Sequence, residues 1–247
     1  MTTQAPEAPT QNGAIPALEF VEPGEAPDTQ NVLLYGPPGS GKSVGASTAP
    51  GPILWLNAEG PNALRFARKH SKAEIREVEV AGDASLKAAF LYIREGNGIK
   101  TVVMDTIGEV YRILLEEISG SKQPTLQNYG DVNTKLERFI RALRDVDVNL
   151  VLLAHEEIAD IDGMPTRRPV TGGKKLPEQV MAQVDIVAYT GVVPATDDTS
   201  ARYVAQLVES HGRRAKDRSG ALGAARDVNL TEWIDIATAT EKEGGRT

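Results

Sequence analysis

Along the chain, short apolar runs alternate with segments in which apolar residues recur at helical spacing. Short, mostly apolar runs at residues 31–36, 53–59, 101–105 and 148–156 predict buried strands. The segments between these runs carry apolar residues at helical spacing. Because strands that alternate with helices form largely parallel sheets, the pattern predicts an α/β fold with helices flanking the sheet.

Two further patterns place the remaining strands. Residues 74–80 alternate apolar and polar positions, which predicts an edge strand. Residues 184–193 and 201–209 form a pair joined by a polar turn, which predicts antiparallel strands added at one edge of the sheet. The predicted helices begin near residue 41 and at the start of the segments 61–70, 83–96, 107–118 and 131–146.

These elements predict a single domain over residues 30–238, between two tails. Residues 1–29 are rich in proline, alanine, threonine, glutamine and glutamate, and we expect them to form a disordered acidic tail. The apolar segment 15–21 would either dock on the body or on a neighbouring subunit, or remain loosely packed. Residues 239–247 are expected to form a second disordered tail.

Composition narrows the class of protein. The net charge is −7, but residues 1–30 hold five acidic residues and no lysine or arginine, so the predicted domain is close to neutral. Cysteine is absent, which excludes disulfides and thiolate metal sites and fits a reducing cytoplasm. No apolar run approaches the roughly 18 residues of a membrane helix, and the first residues show no secretory signal pattern.

A glycine-rich turn follows the first strand run. Residues 36–43, GPPGSGKS, fit the P-loop pattern G-x-x-x-x-G-K-[ST] at every fixed position. The loop's N–H groups would surround phosphate oxygens beside the positive end of the next helix. Lys42 is expected to reach the β- and γ-phosphates of ATP, and the Ser43 hydroxyl to bind Mg²⁺. The predicted nucleotide-binding residues are Gly36, Pro37, Pro38, Gly39, Ser40, Gly41, Lys42 and Ser43.

Two acidic residues follow strand runs at the edge where ligands of parallel sheets bind. Asp105 ends TVVMD and is expected to hold Mg²⁺ together with Ser43, the alternative being a solvated acid. Thr106 would hold Asp105 or a metal-bound water, or cap the next helix. Glu59 follows ILWLNA and is the candidate to orient or deprotonate the attacking water, although an isolated glutamate at such a place is often only solvated.

These residues resemble the RecA-like ATPases. ILWLNAEGPNALRFA is similar to the RecA segment in which a strand ends in acid–alanine–glutamate. That glutamate is the family's catalytic base, so the resemblance assigns this role to Glu59. Asn57 stands where RecA has aspartate. LVLLAHEE resembles the strand that ends in a sensor of the γ-phosphate, which places His155 in that role; RecA itself has glutamine there, and a strand-end cap is the alternative.

The resemblance also implies contacts with single-stranded DNA. The segment 171–176, TGGKKL, is similar to the segment that closes the second DNA-binding loop of RecA. Residues 119–130 occupy the place of the first loop, where Tyr129 would stack on a base or pack under the next helix. The basic residues in and before the segment 171–176 would contact DNA phosphates from a mobile loop, or would only make this loop soluble. The predicted DNA-binding residues are Arg167, Arg168, Lys174 and Lys175.

A last basic element lies near the end of the predicted domain. Lys216 and Arg218 in KDRSG resemble the K-x-R element that RecA-like proteins place across a subunit interface onto the neighbour's ATP. The alternative is a solvated basic turn. The resemblance therefore implies a homo-oligomer, ring or filament, in which neighbouring subunits share an active site.

Together the motifs cover most of residues 30–220, without the additional domains of RecA itself. They most resemble the core-only RecA-like ATPases of bacteriophages, including the single-strand-annealing type. This resemblance implies an ATPase that needs Mg²⁺, is stimulated by DNA, is weak as a lone subunit and acts in DNA recombination. Its partners would be single-stranded DNA, further copies of itself and a single-strand-binding protein, in the cytoplasm of a host cell.

Other classes of P-loop protein fit the sequence less well. A small-molecule kinase would need an arginine-rich lid, which the sequence lacks. An AAA-type remodelling ATPase or helicase loader is the stronger rival, but it should carry a helical domain after the sheet, where the pattern predicts strands. A nucleotide-binding module that hydrolyses little is the third alternative.

Overall fold

The computed structural model describes residues 28–197 and 199–244, and the apolar segment 15–21 lies outside this range. The strands in the described residues are β1 (Asn31–Gly36), β2 (Ile53–Asn57), β3 (Ile75–Glu79), β4 (Thr101–Asp105), β5 (Asn149–Ile161), β6 (Met164–Pro169), β7 (Ile186–Val193), β8 (Arg202–Gln206), β9 (Lys216–Asp217) and β10 (Ala225–Asp227). The helices are α1 (Lys42–Ala46), α2 (Leu64–His70), α3 (Asp83–Arg94), α4 (Ile107–Ser119), α5 (Leu126–Arg144), α6 (Leu176–Gln183) and α7 (Leu230–Gly244). None of these helices is long and apolar enough to span a bilayer.

The strands form one mixed, mostly parallel sheet. Its order is β10-β8-β7-β1-β5-β4-β2-β3, and every pair from β7 to β3 is parallel. β8 and β10 are antiparallel additions at one end, while β6 and β9 pair antiparallel with β5 and β7. The predicted edge strand, β3, lies at the other end. These findings confirm the α/β class, the flanking helices and the antiparallel C-terminal strands.

Alternate residues of the central strands fill two apolar layers. In β1, Val32 and Leu34 belong to the layer formed with α1, α2 and α7, whereas Leu33 and Tyr35 belong to the layer formed with α3 to α6. Burial of both faces explains why these strands are continuous apolar runs in the sequence. Since β1, β2, β4 and β5 run parallel, the segments that follow them meet at the carboxyl edge of the sheet.

The start of α5 differs from the sequence pattern. The helix begins at Leu126 rather than near residue 131, because Thr125 and Asn128 cap it reciprocally. The segment 119–130, predicted as a loop, is therefore helical in its second half. Tyr129 lies in the first turn of α5 and is 41% exposed.

Two further differences lie later in the chain. α7 continues to Gly244, past the predicted domain end at residue 238, and it buries the apolar side chain of Trp233 against the sheet. The expected second tail is thus helical over much of its length. β5 extends beyond the sheet to Ile161 and forms a two-stranded hairpin with β6.

Candidate active site

The predicted P-loop connects β1 to α1 at the carboxyl edge of the sheet. Gly39 and Gly41 have φ angles of 77° and 87°, a left-handed conformation that favours glycine. The Ser40 Oγ lies 2.7 Å from Thr190 Oγ1 on β7, which fixes the loop to the sheet. The loop has the strand–loop–helix setting that the motif requires, although α1 itself is short.

Lys42 is buried at this loop. Its Nζ donates to the carbonyl oxygens of Gly36 at 3.0 Å and Pro37 at 2.9 Å. Burial lowers the pKa of Lys42, while the negative charges of Asp105 and Glu59 act in the opposite direction. The same side chain lines the cleft next to the loop, so rotation away from the two carbonyls would present the ammonium to a phosphate group.

Asp105 ends β4 beside the first turn of α1. The Ser43 Oγ donates to Asp105 Oδ2 at 3.3 Å, so the structure brings together the two residues predicted to hold Mg²⁺. Burial raises the pKa of Asp105 to about 6, and the negative charge of Glu59 acts in the same direction. A bound divalent cation would favour the ionised carboxylate.

Glu59 lies in the turn after β2, across the cleft from the P-loop. Its Oε1 accepts a hydrogen bond from Thr106 Oγ1 at 2.8 Å and lies 3.2 Å from His155 Nε2. The hydrogen bond with His155 is the main reason that the pKa of Glu59 is lowered, and the Thr106 hydroxyl adds to it while burial opposes it. Thr106 was expected to hold Asp105 or a metal-bound water, or to cap α4. It stands at the N-cap position of α4 without a side-chain capping hydrogen bond, and its hydroxyl donates to Glu59 instead of Asp105.

Asn57 fixes the turn that carries Glu59. Its Oδ1 accepts from the Glu59 backbone N–H at 2.9 Å, and its Nδ2 donates to Gly60 O at 2.8 Å and to Glu77 Oε1 at 2.7 Å. An aspartate could not donate to either acceptor and would face the Glu77 carboxylate as a like charge. Asparagine in place of the RecA aspartate therefore suits this site, because it can donate to Glu77 on β3.

The P-loop, Asp105, Glu59 and His155 line one cleft of about 360 Å³. Two aromatic residues that the sequence analysis missed also line it. Phe66 on α2 is 65% exposed. Tyr203 on β8 packs so closely against Gly41 that a Cβ there would lie 2.3 Å from its ring. Phe66 was detectable as an aromatic residue among the polar positions of its helix, but only the fold brings β8 to the P-loop.

The donor set at this cleft fits a magnesium–nucleotide complex. In the described part of the chain no group of three or more histidine, cysteine, aspartate or glutamate side chains could hold a metal by itself. Mg²⁺ commonly takes one or two protein oxygens, several waters and the phosphates of its substrate. The buried Asp105 carboxylate beside the Ser43 hydroxyl supplies such oxygens.

The two arginines predicted for DNA contact are not on a mobile loop. Arg167 and Arg168 lie in β6, because residues 164–169 pair with the extension of β5. Arg168 forms ion pairs with Glu157 at 2.8 Å and Glu178 at 3.0 Å, and Arg167 lies 3.5 Å from a carboxylate oxygen of the hairpin. Neighbouring acids thus engage both arginines, a pairing that their position in the sequence did not reveal.

The two predicted lysines differ from the arginines. Lys174 and Lys175 are exposed and form no ion pair within the described residues. Gly172, two residues before Lys174, packs against the ring of Tyr111 on α4. Gly173 packs against Asn133 of α5, so the segment 171–176 lies beside α4 and the first half of α5.

Lys216 and Arg218 lie at the opposite edge of the sheet from the P-loop. The strand β9 pairs with the start of β7, which in turn pairs with the start of β1. The Lys216 Nζ donates to the carbonyls of Met181 and Val184 at the end of α6, whereas Arg218 forms a 2.8 Å ion pair with Asp185 and is largely exposed. Neither residue joins the site of its own chain.

In this site the P-loop contacts an aspartate at the end of a strand and faces a glutamate that two side chains hold in place. This arrangement is typical of a P-loop nucleoside triphosphatase. The comparison with known families agrees with this class, since the family model described as AAA domain matches residues 28–219, more than three quarters of the chain. The chain belongs to the AAA domain family, and its core is an AAA-like ATPase domain. No curated protein matches the chain.

Proposed function

We propose that the protein binds ATP with Mg²⁺ and hydrolyses it, with Glu59 as the general base. The observation that carries the proposal is the position of Glu59, which His155 and Thr106 hold on the same cleft as the P-loop. A carboxylate with a lowered pKa is ionised at neutral pH and can accept a proton from water.

Each side chain of the cleft has a distinct part in this proposal. Lys42 would neutralise the β- and γ-phosphates, and Ser43 and Asp105 would hold Mg²⁺, which offsets phosphate charge when bound. Glu59 would orient and deprotonate the attacking water. His155 contacts Glu59 and lines the cleft, so it would sense the γ-phosphate through this hydrogen bond.

We further propose single-stranded DNA as a partner. Lys174 and Lys175 are exposed and have no ion pair among the described residues, so they could contact phosphates. Tyr129, 41% exposed, lies one helical turn before Asn133, which packs against Gly173, and its ring could stack on a base. The acidic neighbours of Arg167 and Arg168 make these two arginines weaker candidates. Phosphate contact would therefore come mainly from the two lysines.

The proposed biological role is DNA recombination or annealing as an oligomer, of the kind encoded by bacteriophages. Support comes from the resemblance of the motif order to the core-only RecA-like ATPases. Arg218 lies too far from its own P-loop to act there, because β1 alone spans roughly 17 Å between the two edges. It could act only on a neighbouring subunit, whereas Lys216 is already engaged by α6. A single-strand-binding protein is a further proposed partner.

The second candidate is an AAA-type remodelling ATPase or helicase loader, which the family match favours. Such a protein should carry a helical domain after the sheet. In the described residues that follow β10, the chain forms one helix, α7, packed on the core. This candidate would show ATPase activity that responds to a protein substrate rather than to DNA.

The test is the ATPase rate of the purified protein with and without single-stranded DNA. The proposal expects hydrolysis that requires Mg²⁺ and increases with DNA. Hydrolysis without any response to DNA would favour the remodelling ATPase, and nucleotide binding without hydrolysis would identify a binding module. A control without Mg²⁺, in excess chelator, separates the enzyme from metal-independent contaminants.

A further inference from the structure

Trp55 occupies the strand next to Asp105, on the same face of the sheet. Trp55 in β2 pairs with Val103 in β4, and Asp105 follows Val103 by two residues. Residues two apart on a strand point to the same face, so Trp55 and Asp105 are diagonal neighbours beneath α1. The Trp55 side chain is fully buried in the apolar layer on this face.

The indole N–H of Trp55 is a buried donor whose hydrogen bond is unsatisfied. It has no partner of normal geometry among the described residues, which is unfavourable for a buried donor. The strand register places the buried Asp105 carboxylate beside this donor. Burial is the main reason that the pKa of Asp105 is raised, and the Ser43 hydroxyl and the Trp55 N–H act against this effect.

We propose that Trp55 is a positioning residue for Asp105: its indole N–H holds the carboxylate in the orientation in which it would bind Mg²⁺ beside the Ser43 hydroxyl. The proposal rests on the nucleotide-binding function proposed above. In the structure, Ser43 Oγ donates to Asp105 Oδ2 at 3.3 Å. A hydroxyl that binds a metal through an oxygen lone pair can go on donating its hydrogen to Asp105, so the carboxylate would be oriented from two sides, by the Ser43 hydroxyl and by the Trp55 N–H. Partners of this kind typically change metal affinity by about 10- to 100-fold.

The chain contains a matched control for the obvious variant. Trp233 is the second of two tryptophans; it is also fully buried, and its indole N–H donates to Asp227 O at 3.0 Å, in α7 and away from the cleft. Trp55→Phe and Trp233→Phe therefore each remove one buried indole N–H and keep an aromatic ring. Only the first of the two faces Asp105.

The experiment measures the affinity of a non-hydrolysable ATP analogue in excess chelator and at saturating Mg²⁺. In wild type and in Trp233→Phe, Mg²⁺ should increase the affinity by the same factor. In Trp55→Phe the affinity without Mg²⁺ should stay within about twofold of wild type, while the gain from Mg²⁺ should fall by about tenfold. A purely structural role of Trp55 would lower the two affinities together, and that result would overturn the inference.

A second measurement requires no change at Trp55. In Trp233→Phe the remaining indole is Trp55, and its fluorescence should change when Mg²⁺ is added to the nucleotide-bound protein. An unchanged spectrum, or an unchanged gain in affinity from Mg²⁺ in Trp55→Phe, would overturn the inference and leave the proposed function standing. If wild type binds no nucleotide under either condition, the proposed function fails first and the inference fails with it.

Discussion

Replacing Glu59 by glutamine should remove hydrolysis and preserve the site. The glutamine Oε1 can still accept from Thr106 and from His155, so both hydrogen bonds of the carboxylate oxygen can persist. The lost property is the ability to take a proton from water. General bases contribute about 10²- to 10⁴-fold to a rate, so the turnover number should fall by this factor, equivalent to about 3 to 5 kcal/mol in the barrier.

The assay measures steady-state ATP turnover and, separately, the affinity for an ATP analogue. Affinity should change by less than about threefold, because the proposed phosphate contacts come from the P-loop and Glu59 would act on the attacking water. Glu109→Gln is the matched control, since Glu109 lines the cavity on the other side of Glu59 and lacks contact with the P-loop cleft. Equal turnover by wild type and Glu59→Gln would show that Glu59 is not the base.

Three other variants test the rest of the site. Lys42→Ala should abolish turnover and weaken ATP binding, measured by the same two assays; undiminished turnover would remove Lys42 from the phosphate site. Alanine at both Lys174 and Lys175 should flatten the slope of log DNA affinity against log salt by up to about 1.4, at about 0.7 for each lost contact, and an unchanged slope would place DNA elsewhere. Arg218→Ala should bind ATP normally and turn over slowly, and mixing it with Glu59→Gln should restore part of the activity. If the two variants co-assemble without recovery, Arg218 does not act in trans.

The central strands of the sheet were predictable because they carry a simple physical signal, whereas β6, β9, β10 and the order of the strands were not predicted. Runs such as residues 31–36 and 101–105 are apolar throughout because both of their faces are buried. α5 began earlier than predicted because capping by Thr125 outweighed a first turn without an apolar stripe. The helix over residues 230–244 was missed, although Trp233 and Ile234 are buried on it. Its exposed positions are as polar as residues 239–247, which were predicted as a tail, so there was little sign in the sequence that a helix runs through both.

The candidate site divides in the same way. Lys42, Ser43 and Asp105 were predictable because one motif and one strand end determine where they lie. The hydrogen-bond and ion-pair partners of individual side chains were not predictable, because they come from distant parts of the sequence. Thr106 contacts Glu59 rather than Asp105, and Arg168 is enclosed by two acids from other elements. No local pattern specifies which side chains meet across such distances.

The separation of Arg218 from the P-loop has a consequence for stoichiometry. If Arg218 completes the site of a neighbour, each contact joins two unlike surfaces, and the assembly has a direction. In an open filament the subunit at one end receives no arginine, so a dimer would have one complete site for two chains. A closed ring would have one for every chain. The ratio of fast to slow sites in a single-turnover experiment would therefore report whether the assembly is open or closed.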